Sequence, residues 1–158
     1  MLPNTRAQGR PPAAVTARLR ELAPHLRAGG RPLVFSGAGP GKAEAAADLA
    51  RQLGMQLHRV DLAEVVSRYV GETERNLTAV FDAADAERAV LFFDEADALF
   101  GRRSERLDDR ERNVDAVAGA LLRALETHRG PVVFASAEPL GPELRGAAEL
   151  AFPAPPRA

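Results

Sequence analysis

A glycine-rich segment that ends in lysine is the first stretch of this sequence that could carry chemistry. It reads SGAGPGKA over residues 36–43 and approaches the pattern glycine, four variable residues, glycine, lysine and a hydroxyl residue. In such a loop the backbone N–H groups cradle phosphate oxygens, and the lysine, here Lys42, reaches the β- and γ-phosphates. The segment therefore indicates a nucleoside triphosphate site. The alternative is a tight glycine turn with an exposed lysine.

The loop departs from that pattern in ways that leave two registers open. If Gly41 and Lys42 fix the frame, Ser36 takes the first glycine position, and Ala43 takes the position of the hydroxyl that would bind Mg²⁺. In the other register Gly37 is the first glycine, and the loop is one residue short. The candidate phosphate-binding residues are Ser36, Gly37, Ala38, Gly39, Gly41, Lys42 and Ala43.

A pair of carboxylates is the second candidate. In LFFDEADALFG (91–101) an apolar strand ends in Asp94 and Glu95. Because ligands gather at the carboxyl ends of parallel strands, we expect both side chains at the sheet edge toward which the glycine-rich loop points. Asp94 could hold Mg²⁺ through its water shell, and Glu95 could orient or deprotonate the water that attacks a γ-phosphate. The alternative is a solvated helix start.

The apolar pattern predicts the elements that must position these groups. Helical spacing predicts helices near 15–26, 46–53, 77–84 and 114–125. Short apolar runs predict strands at 32–36, 57–61, 89–94, 132–136 and 149–152. This alternation indicates an α/β fold with a parallel sheet covered on both faces. We expect a folded core over 13–153, with loose tails at 1–12 and 154–158.

The composition argues against several classes of function. Lys and Arg number 21 against 22 Asp and Glu, so no basic surface for nucleic acid or an anionic membrane is indicated. Without cysteine there is no disulfide and no thiolate metal site, and without an apolar leader we expect a cytoplasmic protein. His25, His58 and His128 follow no ligand spacing and are expected at the surface or at helix ends.

Two segments closely resemble the AAA+ ATPases, namely FFDEADALFGRRSE (92–105) and SRYVGETERNL (67–77). They are similar to those of a bacterial AAA+ group, some associated with contractile injection systems, and of spastin- and katanin-like unfoldases. The resemblance covers about residues 33–153. It implies ATP and Mg²⁺ as cofactors, and a three-layer α-β-α sandwich with a five-stranded sheet of order 5-1-4-3-2. It also implies ring-shaped oligomers, usually hexamers, with sites shared between subunits.

The resemblance also assigns roles to single residues. The lysine of the loop and the acidic pair match the family's phosphate-loop lysine and acidic pair. Arg68, Tyr69 and Val70 match the first pore loop, in which an aromatic ring at the position of Tyr69 intercalates with a threaded polypeptide client. The alternative for Tyr69 is a place in the core.

Several positions depart from the family pattern. Ala137 replaces the asparagine that normally positions the attacking water, and its side chain cannot form hydrogen bonds. Of the two arginines usual before the last strand, only Arg145 is present as a finger for the neighbouring subunit. Arg112 is a second candidate for contact between subunits, or else part of a solvated helix face. The sequence stops where the family's helical lid would begin, so we expect a more exposed nucleotide.

Three functions remain open on these grounds. The first is an ATPase that hydrolyses ATP weakly to remodel protein partners. The second is a binding module that takes up nucleotide without turnover and orders a ring or a mixed assembly. The third is a structural remnant that binds no nucleotide. The acidic pair supports the first function, whereas the altered loop and the missing asparagine favour the other two.

Overall fold

The computed structural model describes residues 9–27, 32–66, 70–101, 109–144 and 146–154. The helices are α1 (Ala13–Arg27), α2 (Lys42–Leu53), α3 (Leu62–Val66), α4 (Val70–Glu87), α5 (Asp97–Phe100) and α6 (Asp109–Thr127). The strands are β1 (Leu33–Ser36), β2 (Gln56–Asp61), β3 (Ala89–Asp94), β4 (Val132–Ser136) and β5 (Ala148–Ala151). One 3₁₀ turn, Pro142–Leu144, comes before β5.

The five strands form one parallel sheet in the order β2-β3-β4-β1-β5. From the opposite edge this order reads 5-1-4-3-2, so the predicted α/β class and sheet order are confirmed. The register brings strand ends level, because Ser36 is opposite Ser136 and Asp61 is opposite Asp94. All five strands therefore end at one edge, with β4 between β1 and β3.

Alternating side chains of the central strands supply two cores, one on each face of the sheet. Val90 and Phe92 of β3 pack with α1 and α2, whereas Leu91 and Phe93 pack on the face that α4 and α6 cover. All four side chains are fully buried. Burying one phenylalanine side chain contributes about 1.5–3 kcal/mol, so these two layers account for much of the stability of the domain. The expected three-layer sandwich is present.

The helices that flank the glycine-rich loop fit the residues that form them. α2 is rich in alanine, a strong helix former, and its small side chains allow close contact with the sheet and with α1. It ends at Gly54, whose left-handed φ of 67° lets its N–H bond to the carbonyls of Ala50 and Arg51. α1 buries Val15 and Leu19 in the same core.

Some details differ from the expectations. β3 and β4 have the predicted bounds, whereas β5 begins and ends one residue earlier than predicted. α3 and α5 were not predicted, because a single helical turn is too short to show a period. His128 follows the end of α6 as expected, but its side chain is only 2% exposed. None of the helices within the described ranges combines the length and hydrophobicity needed to cross a bilayer.

Candidate functional site

The glycine-rich loop follows β1 and is held by the ends of its two neighbouring strands. The N–H of Gly37 donates to the carbonyl of Ser136 at 3.0 Å. On the other side, Phe152 N–H donates to Ser36 O and Gly39 N–H donates to Phe152 O, both at 2.7 Å. The loop is therefore fixed at the carboxyl edge of the sheet before any ligand binds.

Three glycines of this loop are required by backbone geometry or close approach. Gly37 and Gly41 have left-handed φ angles of 104° and 101°. A Cβ atom on Gly39 would lie 2.2 Å from the carbonyl oxygen of Pro153, and one on Gly41 would lie 2.8 Å from the Cα of Pro11. These glycines are therefore needed for close contact with the segments at Pro11 and Pro153, whether or not they also contact phosphate.

The amino end of α2 offers backbone donors beside this loop. α2 begins at Lys42, and the first intrahelical bond from its first turn runs from Ala45 N–H to Gly41 O at 2.9 Å. The N–H groups of Lys42, Ala43 and Glu44 precede that bond and so lack intrahelical acceptors. Together with the positive end of the helix dipole, such donors favour an anion.

The side chain of Lys42 lies near enough to Asp94, Glu95 and Asp97 to interact with them electrostatically. Its Nζ donates to the carbonyl of Gly39 at 3.0 Å. Partial burial lowers the pKa of Lys42, and the carboxylates of Asp94, Asp97 and Glu95 oppose that shift. The strands that precede the lysine and the acidic pair, β1 and β3, end at the same edge of the sheet, but they are not adjacent, because β4 lies between them.

Both carboxylate oxygens of Asp94 are engaged within the chain. Oδ2 accepts from Nη2 of Arg59 at 2.5 Å, and Oδ1 accepts from the backbone N–H of Glu95 at 2.9 Å. The guanidinium of Arg59 also lies over the ring of Phe92, 5.8 Å from the centroid. Arg59 belongs to the site, and sequence reasoning missed it because its contact crosses from β2 to β3.

Glu95 combines an unusual backbone with an unusual electrostatic environment. Its φ of 57° is left-handed, which costs a residue with a Cβ atom about 1 kcal/mol or more. Partial desolvation raises the pKa of Glu95, as do the carboxylates of Asp94, Asp97 and Asp61, whereas Arg59 lowers it. A raised pKa and a strained backbone at one exposed carboxylate are features of functional acids and bases.

The described structure does not place the side chains of the other predicted site residues. Arg68, Tyr69 and Arg145 lie outside the described residues, and Val70 begins α4 without a described side chain. Their roles stay predictions. Ala137 follows β4 and is exposed, so its methyl group offers no donor near the acidic pair.

Comparison with protein families matches residues 32–146 to the ATPase family associated with various cellular activities (AAA). The chain belongs to the AAA family. This match includes the glycine-rich loop and the acidic pair, and it identifies the described core as an AAA domain of the P-loop ATPase type. Helix α1 precedes the matched residues.

Curated relatives support the same assignment. An uncharacterized AAA family ATPase, y4kL, of Sinorhizobium fredii is 41% identical over 46% of this chain and 22% of its own length. The ATPase family gene 2 protein of Schizosaccharomyces pombe is 32% identical over 66% of the chain and 13% of its own length. The cell division cycle protein 48 homolog of Archaeoglobus fulgidus is 31% identical over 66% of the chain and 14% of its own length. The matched parts therefore cover under a quarter of these three relatives.

AAA proteins typically use Mg²⁺ with ATP, so the donor set of this domain has to be tested against that ion. Ala43 has no hydroxyl to offer as a ligand, and both oxygens of Asp94 already accept hydrogen bonds. Within the described ranges no group of three or more His, Cys, Asp or Glu could hold a metal ion. The residues do not fit direct coordination of Mg²⁺. Contact of Asp94 through a water shell stays a prediction.

A cleft of about 1210 Å³ opens beside Glu95, outside the ends of β3 and β4. Three further carboxylates line it, those of Asp97, Glu138 and Glu143. Apolar residues such as Phe100 and Leu140 complete its walls. The acidic lining makes this side of the AAA domain unfavourable for an anion without a nearby cation.

Proposed function

We propose that this AAA domain binds ATP at the carboxyl edge of its sheet and hydrolyses it slowly to remodel a protein partner. The observation that carries the proposal is the position of Lys42 at the amino end of α2, on the edge of the sheet at which β3 ends in Asp94. A cation, helix donors and carboxylates at one edge are among the parts that phosphoryl transfer to water uses.

Lys42 and the first turn of α2 would hold the triphosphate. The bond from Lys42 Nζ to Gly39 O, 3.0 Å long, is one that a phosphate oxygen would replace. Both bonds have the ionised ammonium group as donor, but only the phosphate oxygen also carries negative charge, so the exchange favours the nucleotide. The N–H groups of Ala43 and Glu44 would add backbone donors.

Glu95 would act on the attacking water. Its raised pKa makes the carboxylate a stronger base than an ordinary glutamate. Ala137 cannot help to orient the water, and this loss supports a slow reaction. A finger arginine, assigned to Arg145 in a neighbouring subunit, would contribute about 10³–10⁵ in rate where present.

The remodelling part of the proposal rests on the family. AAA proteins often form rings that act on polypeptides, and this chain would form a homo- or hetero-oligomeric ring, most simply a hexamer. Arg68, Tyr69 and Val70 would then contact the client from the central pore. Mutation of Tyr69 to alanine should leave ATP binding intact and reduce any client-stimulated phosphate release.

A second function is favoured by a specific observation. Because Arg59 engages Asp94 and Ala43 lacks a hydroxyl, the domain could bind ATP without turnover and serve as a subunit that orders an assembly.

The two functions differ in phosphate release from the purified chain, alone and with an intact AAA protein. Release that Glu95→Gln stops while ATP binding persists supports hydrolysis, since an amide is no base. Equal release by wild type and Glu95→Gln indicates a contaminating enzyme.

Nucleotide binding itself can be tested at a single atom. Of the 21 Lys and Arg residues only Lys42 is a lysine, so reductive ¹³C-methylation labels this side chain and the chain's amino terminus. ATP should shift the Lys42 resonance and raise its pKa toward the ordinary value of 10.5, because phosphate charge favours the ammonium form. A resonance that does not respond to millimolar ATP would contradict the proposed site.

Thermal stabilisation gives the matched mutational test. ATP at a hundred times its Kd should stabilise the wild type by about 2.7 kcal/mol. Lys42→Ala should abolish that gain, and Lys42→Arg should keep part of it. Arg51→Ala on the exposed side of the same helix is the control and should behave as wild type. Full stabilisation of Lys42→Ala would remove the site assignment.

A further inference from the structure

Arg59 is a cation built into the acidic edge of the sheet. It lies on β2 directly opposite Phe92 of β3, so the strand register carries its side chain across to the neighbouring strand. There the guanidinium lies 5.8 Å from the centroid of Phe92 and donates to Asp94 Oδ2 at 2.5 Å. An arginine held by both an aromatic face and a carboxylate loses less conformational freedom when it binds a further anion.

Arg59 places a positive charge beside carboxylates that would otherwise need a divalent cation to tolerate a triphosphate. Asp61 and Asp94 end neighbouring strands in register, and Glu95 follows at once. Bringing a triphosphate to these carboxylates without a cation between them would be repulsive. Arg59 supplies one such charge, and its guanidinium carries five N–H donors, more than Asp94 can use.

We propose that Arg59 takes the place of Mg²⁺ at Asp94, so that this AAA domain binds ATP without requiring a divalent cation. The inference rests on the proposed nucleotide site and goes beyond it. It follows from the disagreement between the family's usual metal and the residues present, since the hydroxyl ligand is Ala43 and the carboxylate is already paired. The chain thus carries a fixed charge in place of an exchangeable one.

The experiment compares ATP affinity with and without metal. Thermal shift and calorimetric titration of the full chain with ATP are run once in excess Mg²⁺ and once in EDTA. For the wild type the two Kd values should agree within about threefold. For Arg59→Gln the Kd in EDTA should rise by about fivefold relative to that in Mg²⁺, the size expected for one lost charge contact that is partly exposed.

Two further variants separate charge from packing. Arg59→Lys keeps the positive charge and should recover most of the metal independence. Arg18→Gln removes an arginine of the same 53% exposure that pairs with Glu21 on α1, and it should match the wild type in both buffers. Because the side chain of Arg59 is more than half exposed, its replacement should leave the unfolding temperature of the free chain nearly unchanged.

The possible results have distinct meanings. ATP binding by the wild type that is lost in EDTA would overturn this inference and leave the proposed function standing. The same ratio of Kd values in Arg59→Gln and wild type would also overturn it, because the charge would then play no part. No ATP binding by the wild type in either buffer would overturn the proposed function and this inference with it.

Discussion

Glu95 has a left-handed backbone conformation, and its carboxylate lies among those of other acidic residues. Its φ of 57° persists although a residue with a Cβ atom is disfavoured there, and Asp94, Asp97 and Asp61 all raise its pKa. A side chain that folding places among like charges is costly to keep ionised. The backbone and the electrostatic environment of Glu95 therefore both lower the stability of the fold.

Glu95→Gln gives a first prediction about the pH dependence of stability. The pKa of Glu95 is higher in the folded state than in the unfolded state. Its contribution to the free energy of unfolding is therefore present at low pH and is lost as the pH rises through the raised pKa. Removing the charge should therefore raise the free energy of unfolding at pH 8 by up to about 0.5 kcal/mol, and by less at pH 4.5. Denaturant unfolding at both values measures this. Equal gains at the two pH values would contradict it, and Glu126→Gln on α6 is the control.

His128 leads to a second prediction with the opposite pH dependence. Burial lowers its pKa below the usual 6.5, and Asp85 opposes that shift. Nδ1 lies 3.3 Å from an oxygen of Asp85 without hydrogen-bond geometry, and the ring packs edge-on to Phe81. Because the folded state disfavours the charged form, stability that is present above about pH 6.5 should be lost as the pH falls below it.

His128→Leu should remove this contribution. The variant should be at least as stable as wild type at pH 8, where it no longer buries two ring nitrogens without partners, each worth about 1–3 kcal/mol. It should also lose less stability than wild type between pH 7 and pH 5, as followed by thermal unfolding. His25→Gln, on the exposed side of α1, should keep the wild-type profile. Parallel profiles for His128→Leu and wild type would contradict the argument.

At the scale of elements, the glycine-rich loop is fixed by two segments that are remote from it in sequence. The end of β5 bonds to Gly39 through Phe152, and Pro11 lies against Gly41 ahead of α1. The loop conformation is therefore a property of β1, β5 and the approach to α1 together. This arrangement sets the conformation of the loop in the absence of a ligand.

A pair of glycine substitutions tests this arrangement. An alanine at Gly39 would place its Cβ 2.2 Å from Pro153 O, whereas one at Gly54 would meet nothing within 4 Å and would pay only for its left-handed φ. We expect Gly54→Ala to cost about 1–2 kcal/mol and Gly39→Ala to cost about 3 kcal/mol or more. Equal losses on urea unfolding would mean that the end of β5 moves away freely.

The elements also explain which parts of the structure the sequence could predict. β4 is buried throughout and β3 is buried up to Asp94, and both strands are mainly apolar, so their bounds follow largely from the apolar pattern. The loop and the acidic pair follow from motifs that lie within single segments. Arg59 and Asp61 could not be assigned in this way, because their roles arise from the pairing of β2 with β3. Their signal is the charged end of β2, which becomes informative once the strand order places β2 beside β3.

At the scale of the whole molecule, α1 packs into the core of the AAA domain. It lies before residues 32–146 that the family comparison matches, yet Val15 and Leu19 are buried in the core shared with α2. α1 also contacts β5. We therefore expect a cooperative folding unit that is larger than the matched family region.

Leu19→Ala tests whether α1 unfolds together with the rest of the domain. The side chain is 1% exposed, so its truncation should cost about 2–5 kcal/mol and lower the single unfolding transition as a whole. Leu22→Ala, at a half-buried position of the same helix, should cost less. A separate early transition, with the main one unchanged, would show that α1 unfolds independently of the domain.

The approach to α1 and the tail of β5 lie on either side of the same loop, although they are far apart along the chain. Any rearrangement of Gly39 on ligand arrival must break or reshape its bond to Phe152, and movement at Gly41 must displace Pro11. Fluorophores attached near Arg10 and Ala154 would therefore report any such movement of the loop by energy transfer. A protein fused at either position would be mechanically coupled to the loop.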